Sequence, residues 1–302
     1  MILITGGTGF VGRNIVRKLI QANQDVRCLV RKTSNVSIFE GLKLDYSEGD
    51  ITRPQTLLKA TKGVDTVIHL VGIIREGRDA TFEKIHASGT ANVIEASKKG
   101  GVKRFVHMSA LGAGPEAISR YHKTKWQGEE AVRASGLDYV ILRPSIICGG
   151  DDEFVNMFAK MIRQTFLTRM MPVIGSGKYK MQPIYVGDVA HCFVTAATGD
   201  KIVNETYELG GPEQLTFNEI LDTIMRVMGK RRLKVHLPMV VGRVLAFFME
   251  KLLSAPPLTR EQLIMLQSDN VTDITAMKRD FDFEPMRFED AIRTYLPSNK
   301  RG

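Results

Sequence analysis

The sequence predicts an α/β chain built on a doubly wound parallel sheet with a smaller C-terminal lobe. Short β-branched apolar runs alternate with helical periodicity through the first half, the pattern of repeated βαβ units. Some runs are continuously apolar rather than alternating, as in Val67-Ile68-His69-Leu70-Val71, which marks strands buried on both faces. A glycine-rich turn, Gly6-Gly7-Thr8-Gly9-Phe10-Val11-Gly12, stands between the first run and the first helical segment.

Taken in order, strands are expected over Ile2–Thr5, Asp25–Val30, Lys43–Glu48, Thr66–Leu70, Arg104–Met108 and Tyr139–Arg143, with helices beginning near Val11, Pro54, Thr81 and Lys123. Gly149-Gly150-Asp151-Asp152 breaks the pattern; a Met- and Phe-rich helix, a turn at Gly175–Gly177 and a helix over Val186–Ala197 follow. A nucleotide lobe over 1–150 plus about 182–204, and a substrate or partner lobe over about 150–181 and 205–302, follow from this reading. Interleaving of the segments predicts one cooperative unit.

The bulk numbers agree with a full core: 302 residues, 43% hydrophobic and 25% charged. No run of 18 apolar residues appears and no basic, apolar leader precedes Ile2, so neither a membrane span nor a secretory signal is expected. Cys28, Cys148 and Cys192 are scattered in apolar stretches and the six histidines lack metal-ligand spacing. A reduced cytoplasmic chain without a disulfide framework or bound metal is the expectation. The net charge of +9 favours anionic partners, and its densest cluster is Lys230-Arg231-Arg232 with Lys234. No recognition motif or aromatic stacking pattern accompanies it, so nucleic acid is not expected as a partner.

The strand–turn–helix context makes the glycine motif specific. Gly6, Thr8 and Gly9 bring backbone N–H groups against a pyrophosphate, and Gly12 lets the helix close on the strand, with Phe10 and Val11 opening that helix. This is the dinucleotide-binding turn of a Rossmann fold. About 20 residues on, a NAD-specific site carries an acid for the ribose hydroxyls. Here the chain reads Cys28-Leu29-Val30-Arg31-Lys32. Arg31 and Lys32, with Arg13 after the third glycine, suit a 2′-phosphate, so NADP(H) is the preferred cofactor, with NAD(H) admissible.

At these residues the sequence resembles the extended or atypical branch of the short-chain dehydrogenases/reductases. The resemblance implies an adenine contact at Asp50, followed by Ile51, and a cofactor-lining segment at Leu70-Val71-Gly72. It also implies an active-site serine at Ser109, the Tyr121-His-Lys-Thr-Lys125 pair, and a nicotinamide-pocket turn at Pro144-Ser145. His86 stands where many relatives carry an asparagine, and the Ser109-to-Tyr121 interval is short for the branch. More narrowly, Gln182–Ala190, Tyr207–Pro212 and Leu258–Leu263 with Ser268-Asp269-Asn270 are similar to bacterial relatives of the NADPH-binding accessory subunit of respiratory complex I, the alpha-subcomplex subunit 9 family. That likeness implies a cofactor held structurally.

The chemistry needs the tyrosine and lysine one helical turn apart. Tyr121 exchanges a proton, Lys125 lowers its pKa and holds the nicotinamide ribose, and Ser109 binds the substrate oxygen. His69, His86 and His107 read as buried structural histidines. Arg143, Lys178, Lys180 and Arg232 are candidates for a substrate diphosphate. Met239–Leu253 has a very wide apolar face: either it covers a substrate cleft, or it meets a respiratory-complex partner or a membrane surface, giving a peripheral location. Three functions remain open at this point. They are an NADP(H)-dependent oxidoreductase or epimerase acting on a carbonyl or hydroxyl of an unknown small molecule, a non-catalytic NADPH-binding accessory or assembly subunit related to complex I, and a sensor of the NADP(H) ratio.

Overall fold

The computed structural model describes residues 1–253, 256 and 258–297. In chain order the strands are β1 (Ile2–Thr5), β2 (Val26–Val30), β3 (Asp45–Glu48), β4 (Thr66–His69), β5 (Arg104–Met108), β6 (Asp138–Pro144), β7 (Ile147–Cys148), β8 (Met170–Ile174), β9 (Lys180–Met181), β10 (Ile184–Tyr185), β11 (Glu205–Leu209), β12 (Leu215–Thr216) and β13 (Leu233–Leu237). The α-helices are α1 (Phe10–Gln21), α2 (Leu58–Thr61), α3 (Gly89–Gly100), α4 (Arg120–Arg133), α5 (Glu153–Gln164), α6 (Val186–Thr198), α7 (Phe217–Val227), α8 (Met239–Leu252), α9 (Arg260–Met265), α10 (Thr275–Phe281) and α11 (Phe288–Arg293).

Two compact units result. The first comprises Met1–Pro144, Val186–Leu209 and Thr275–Phe283; the second comprises Ser145–Tyr185, Gly210–Ile274 and the described residues from Glu284 onward. The boundary therefore differs from the expected one. The first unit ends at Pro144, and 182–185 fall in the second, where β10 pairs with β7. Residues 205–209 return to the first unit as β11, paired in parallel with β6 from Glu205↔Val140 to Leu209↔Pro144. α10 follows them there, where the Tyr207 hydroxyl donates to Asp280.

The first unit holds a seven-stranded sheet in the order β11-β6-β5-β4-β1-β2-β3, parallel at every pairing. All residues of β1 and β4 are buried, as their unbroken apolar runs require. Strand order reverses between β1 and β4, and in such sheets ligands bind outside the carboxyl ends of the strands at that point. Leu3, Leu29, Val67, Phe105 and Ile141 from the strands pack with Ile51, Ile85, Val93 and Ile94. The helix expected at Pro54 splits into a 3₁₀ turn, Pro54–Thr56, and the short α2. The helix expected near Thr81 opens as a π-helical stretch, Glu83–Ser88, before α3. α4 starts earlier than Lys123 because the Ser119 hydroxyl caps it, accepting from the His122 N–H at 3.1 Å.

The second unit is centred on α5, α7 and α11. Val155, Phe158 and Ile162 of α5 lie at helical spacing and meet Ile220, Leu221, Ile224, Phe288 and Ile292. Three strand pairs, β7 with β10, β9 with β12 and β8 with β13, edge this core.

Candidate functional site

The site begins at the turn after β1. Gly6 has φ +80°, and a Cβ there would lie 3.2 Å from the Val71 nitrogen, so only glycine lets the turn back onto the end of β4. Gly9 N–H donates to the Gly6 carbonyl at 3.1 Å. A Cβ at Gly12 would overlap the Gly6 oxygen and sit 2.7 Å from Gly7 Cα; α1 can lie against the turn only without it. Gly9 caps α1 with no side-chain bond, and its first turn contains no acid. The amide dipoles there face a place suited to an anion. Thr8 and Phe10 flank it half-buried, while Val11 and Gly12 are buried beneath.

The cations at the end of β2 stand in solvent. Arg31 and Lys32 are exposed, and Lys32 is 3.8 Å from Glu48 with both side chains mostly exposed, a pair worth little. Arg13 is half-buried, its guanidinium carbon 6.0 Å from the Phe10 ring centre. Beyond β3, the Asp50 carboxylate accepts the Thr52 N–H and hydroxyl, both at 2.8 Å. Burial pushes the Asp50 pKa up, but those two bonds and the charges of Arg31 and Arg53 outweigh it and hold the carboxyl below its ordinary value. Ile51 is buried and its carbonyl accepts from Asn92.

From the glycine turn a continuous wall leads to the Tyr–Lys pair. Leu70 N–H bonds the Thr5 carbonyl, Val71 touches Gly6, and a Cβ at Gly72 would stand 2.8 Å from Lys125 Nζ and 3.5 Å from His86 Nε2. Lys125 is 3% exposed. Its ammonium donates to the Met108 carbonyl at 3.0 Å. Burial lowers its pKa from 10.5 to about 8, against the pull of Glu129. Ser109, the next residue along from Met108, is buried with its hydroxyl oxygen lacking a hydrogen-bond partner among the described residues. Tyr121 stands edge-on to Phe82 and His86, with ring centres 5.8 and 5.4 Å away. Burial pushes its phenol up to about 12. This differs from the depression expected from Lys125: the ammonium is anchored on a backbone carbonyl, and desolvation governs the phenol.

His69, His86 and His107 are buried and neutral. His86 Nε2 accepts the Ile73 N–H at 3.0 Å and Nδ1 meets Thr124 Oγ1 at 2.9 Å. Thr124 already donates to a helix carbonyl, so His86 carries its proton on Nδ1. Burial lowers its pKa to about 2. His69 is likewise satisfied, between Thr5 and Thr90, and burial lowers it to about 3. His107 stacks on His69 at 5.5 Å, and neither of its nitrogens has a partner among the described residues.

Sequence reasoning missed Glu129, one turn past Lys125. It is wholly buried and accepts from Arg143 at 2.8 and 2.7 Å and from Arg133 at 2.7 Å. The i,i+4 spacing from Lys125 was the available signal. Arg143 is thereby committed within the first unit rather than free for a substrate diphosphate. It also meets Glu208 and lies over Trp126. Arg232 is spent on the Ile162 carbonyl, whereas Lys178 and Lys180 are exposed. Pro144 ends β6 and accepts from Leu111 N–H. Ser145 belongs to the second unit, where its hydroxyl donates to Asn270 at 2.7 Å.

Comparison with known proteins bears on the family and the fold. Over 317 aligned residues, 99% of this chain and 78% of the other, the sequence is 28% identical to the mitochondrial NADH dehydrogenase [ubiquinone] 1 alpha subcomplex subunit 9 of Arabidopsis thaliana. It is 31% identical over 243 residues to a ceramide reductase of Caulobacter vibrioides, covering 79% of this chain and 74% of that one. The UDP-glucose 4-epimerase of Thermotoga maritima shares the fold, with a TM-score of 0.74 at 22% identity over 97% of this chain and 96% of that one. Residues 2–210 match the NAD dependent epimerase/dehydratase family, and with the glycine turn, the parallel sheet and the Tyr–Lys helix in place the chain belongs to that family.

Proposed function

We propose that this protein is an NADP(H)-dependent oxidoreductase that reduces a carbonyl through Ser109, Tyr121 and Lys125. The observation that carries the reading is the buried Ser109 hydroxyl, without a hydrogen-bond partner among the described residues, next to Met108, whose carbonyl holds the buried Lys125 ammonium. A buried hydroxyl without a partner costs free energy, and a substrate oxygen relieves that cost. The residues also fit a dinucleotide: glycines clear the approach to the α1 amides, and Gly72 leaves room beside the lysine. Bound NADPH supplies the hydride that goes to the carbonyl carbon. With its pKa near 12, Tyr121 is protonated at neutral pH and gives its proton to the carbonyl oxygen, yielding an alcohol, and is reprotonated from solvent. Lys125, still mainly cationic at pH 7, would hold the ribose hydroxyls of the bound dinucleotide. Arg31, exposed where a NAD site carries an acid, favours the extra phosphate. The relative named a ceramide reductase supports reduction as the direction.

A second reading, a non-catalytic NADPH-binding subunit, is favoured by the likeness to the complex I subunit along nearly the whole chain. Fluorescence titration with NADPH and NADH, followed by turnover on a carbonyl panel, separates them. We expect at least a ten-fold preference for NADPH that Arg31→Ala removes, as loss of a charge-assisted pair implies, and turnover that Tyr121→Phe abolishes with NADPH affinity retained. Equal affinities unchanged by Arg31→Ala would refute the NADP(H) assignment. NADPH retained through purification but inert towards every carbonyl would assign the accessory role.

A further inference from the structure

Helix α8, in the second unit, has two apolar faces. Gly242 and Ala246, one turn apart, are its buried residues, and a Cβ at Gly242 would lie 2.5 Å from Ile174 Cγ2. The helix is thus seated by a narrow stripe of small residues. Facing away from that stripe, Val240 is 67%, Val244 50%, Phe248 54% and Leu252 78% exposed. With Val241, Leu245 and Phe247, also exposed, they sweep roughly 160° of the helix circumference at 3.6 residues per turn. Exposed apolar surface of this extent on a folded protein marks an interaction face.

Charge identifies the occupant. Lys251 lies within that arc, its ammonium 4.5 Å from the Phe247 ring centre, and Arg243 stands exposed at its edge. Between Asp222 and Glu250 the chain carries six cations and no acid; Arg226 and Lys234 pair with Glu289 and Asp222 and Arg232 is held by the Ile162 carbonyl, which leaves Lys230 and the exposed Arg231 and Arg243 for an anionic surface. Glu250 itself is occupied by Arg260, at 2.7 Å. In the same unit, the stretch from Phe154 to Tyr185 holds five cations and no acid. It also exposes Phe166 and Leu167. An apolar face threaded by a lysine, on a unit with long stretches free of carboxylates, is complementary to a surface apolar within and anionic at its boundary. The helix is about 21 Å long at 1.5 Å per residue, short of the roughly 30 Å hydrocarbon core. No described helix is long and apolar enough to cross a membrane. We infer that α8 docks this protein flat on a membrane surface rich in anionic phospholipid, with Val244 and Phe248 in the acyl boundary and Lys251 reaching back to the headgroups.

Flotation of the full chain with vesicles tests this. One set is phosphatidylcholine alone and the other contains about one-third phosphatidylglycerol, with NADPH affinity and circular dichroism as controls for folding. The protein should float with the acidic vesicles and stay behind with the neutral ones. Arg231→Glu should weaken partition at least about five-fold, and V244D/F248D should abolish it. If that double variant does not fold, Leu252→Asp at the helix end provides the same comparison. Failure to float with acidic vesicles overturns the inference, as does flotation indifferent to the α8 substitutions. A concentration-dependent dimer in light scattering that V244D/F248D dissociates also overturns it, by assigning the face to a second copy.

Discussion

Replacing Lys125 by methionine should stabilise the protein at pH 7 while removing the proposed reaction, and the two effects share one cause. Burial lowers the Lys125 pKa from 10.5 to about 8. Below pH 8 both folded and unfolded chains hold the proton, and the folded state bears the full cost of a desolvated ammonium. Between pH 8 and 10.5 the unfolded chain holds a proton that the folded chain has released, so stability rises with pH. At 1.36 kcal/mol per unit, the penalty is about 3 kcal/mol at pH 7 and falls to about 1 kcal/mol by pH 10. Methionine fills similar volume without charge, forfeiting the bond to the Met108 carbonyl, worth about 1 kcal/mol. Urea unfolding of both proteins from pH 7 to 10 should show the variant ahead by about 2 kcal/mol at pH 7, with that advantage lost by pH 10. A stability difference that stays flat across this range would refute the argument, because it would mean the buried ammonium carries no desolvation cost.

Three further outcomes follow from the same geometry. Glu129→Ala leaves the Arg143 guanidinium, only 14% exposed, with the longer pair to Glu208 at 3.4 Å as its remaining carboxylate contact, and should cost about 3 kcal/mol in thermal or chemical unfolding. The double variant Glu129→Leu/Arg143→Met should recover most of that loss. Gly12→Ala drives a methyl into the Gly6 and Gly7 backbone and should cost about 3 kcal/mol together with dinucleotide binding, measured by urea melts and NADPH fluorescence. Gly72→Ala places a Cβ 2.8 Å from Lys125 Nζ. Because a lysine tip can yield where a backbone cannot, NADPH affinity and turnover should fall at least ten-fold with stability changing by less than about 1 kcal/mol.

Much of the nucleotide unit was legible because its signals are local. Period-2 or continuous apolar runs bounded by glycine and proline located six of the seven strands of the main sheet to within two residues; burial on both faces gives the central strands β1 and β4 their pattern, while β3 is an edge strand with only Ser47 buried. The Tyr121-to-Lys125 spacing spans one turn whatever the surroundings. No strand is expected over Glu205–Leu209 and those residues are assigned to the second lobe by sequence, because a strand's partner is chosen by long-range pairing, here with β6 more than 60 residues earlier, and nothing local names that partner.

The sequence by itself determined the order of the first six strands of the main sheet, the glycine-cleared approach to α1 and the absence of an acid at the end of β2, because each depends on residues close together in the chain. Only the tertiary structure decided which charges stay available and which are consumed. It set Arg143 against Glu129, Lys125 on the Met108 carbonyl, Ser109 without a partner among the described residues and Tyr121 with its phenol pushed up by burial to about 12. The reason is physical. Hydrogen-bond partners and desolvation belong to the neighbours a side chain meets after folding, and those neighbours come from segments far apart in the chain.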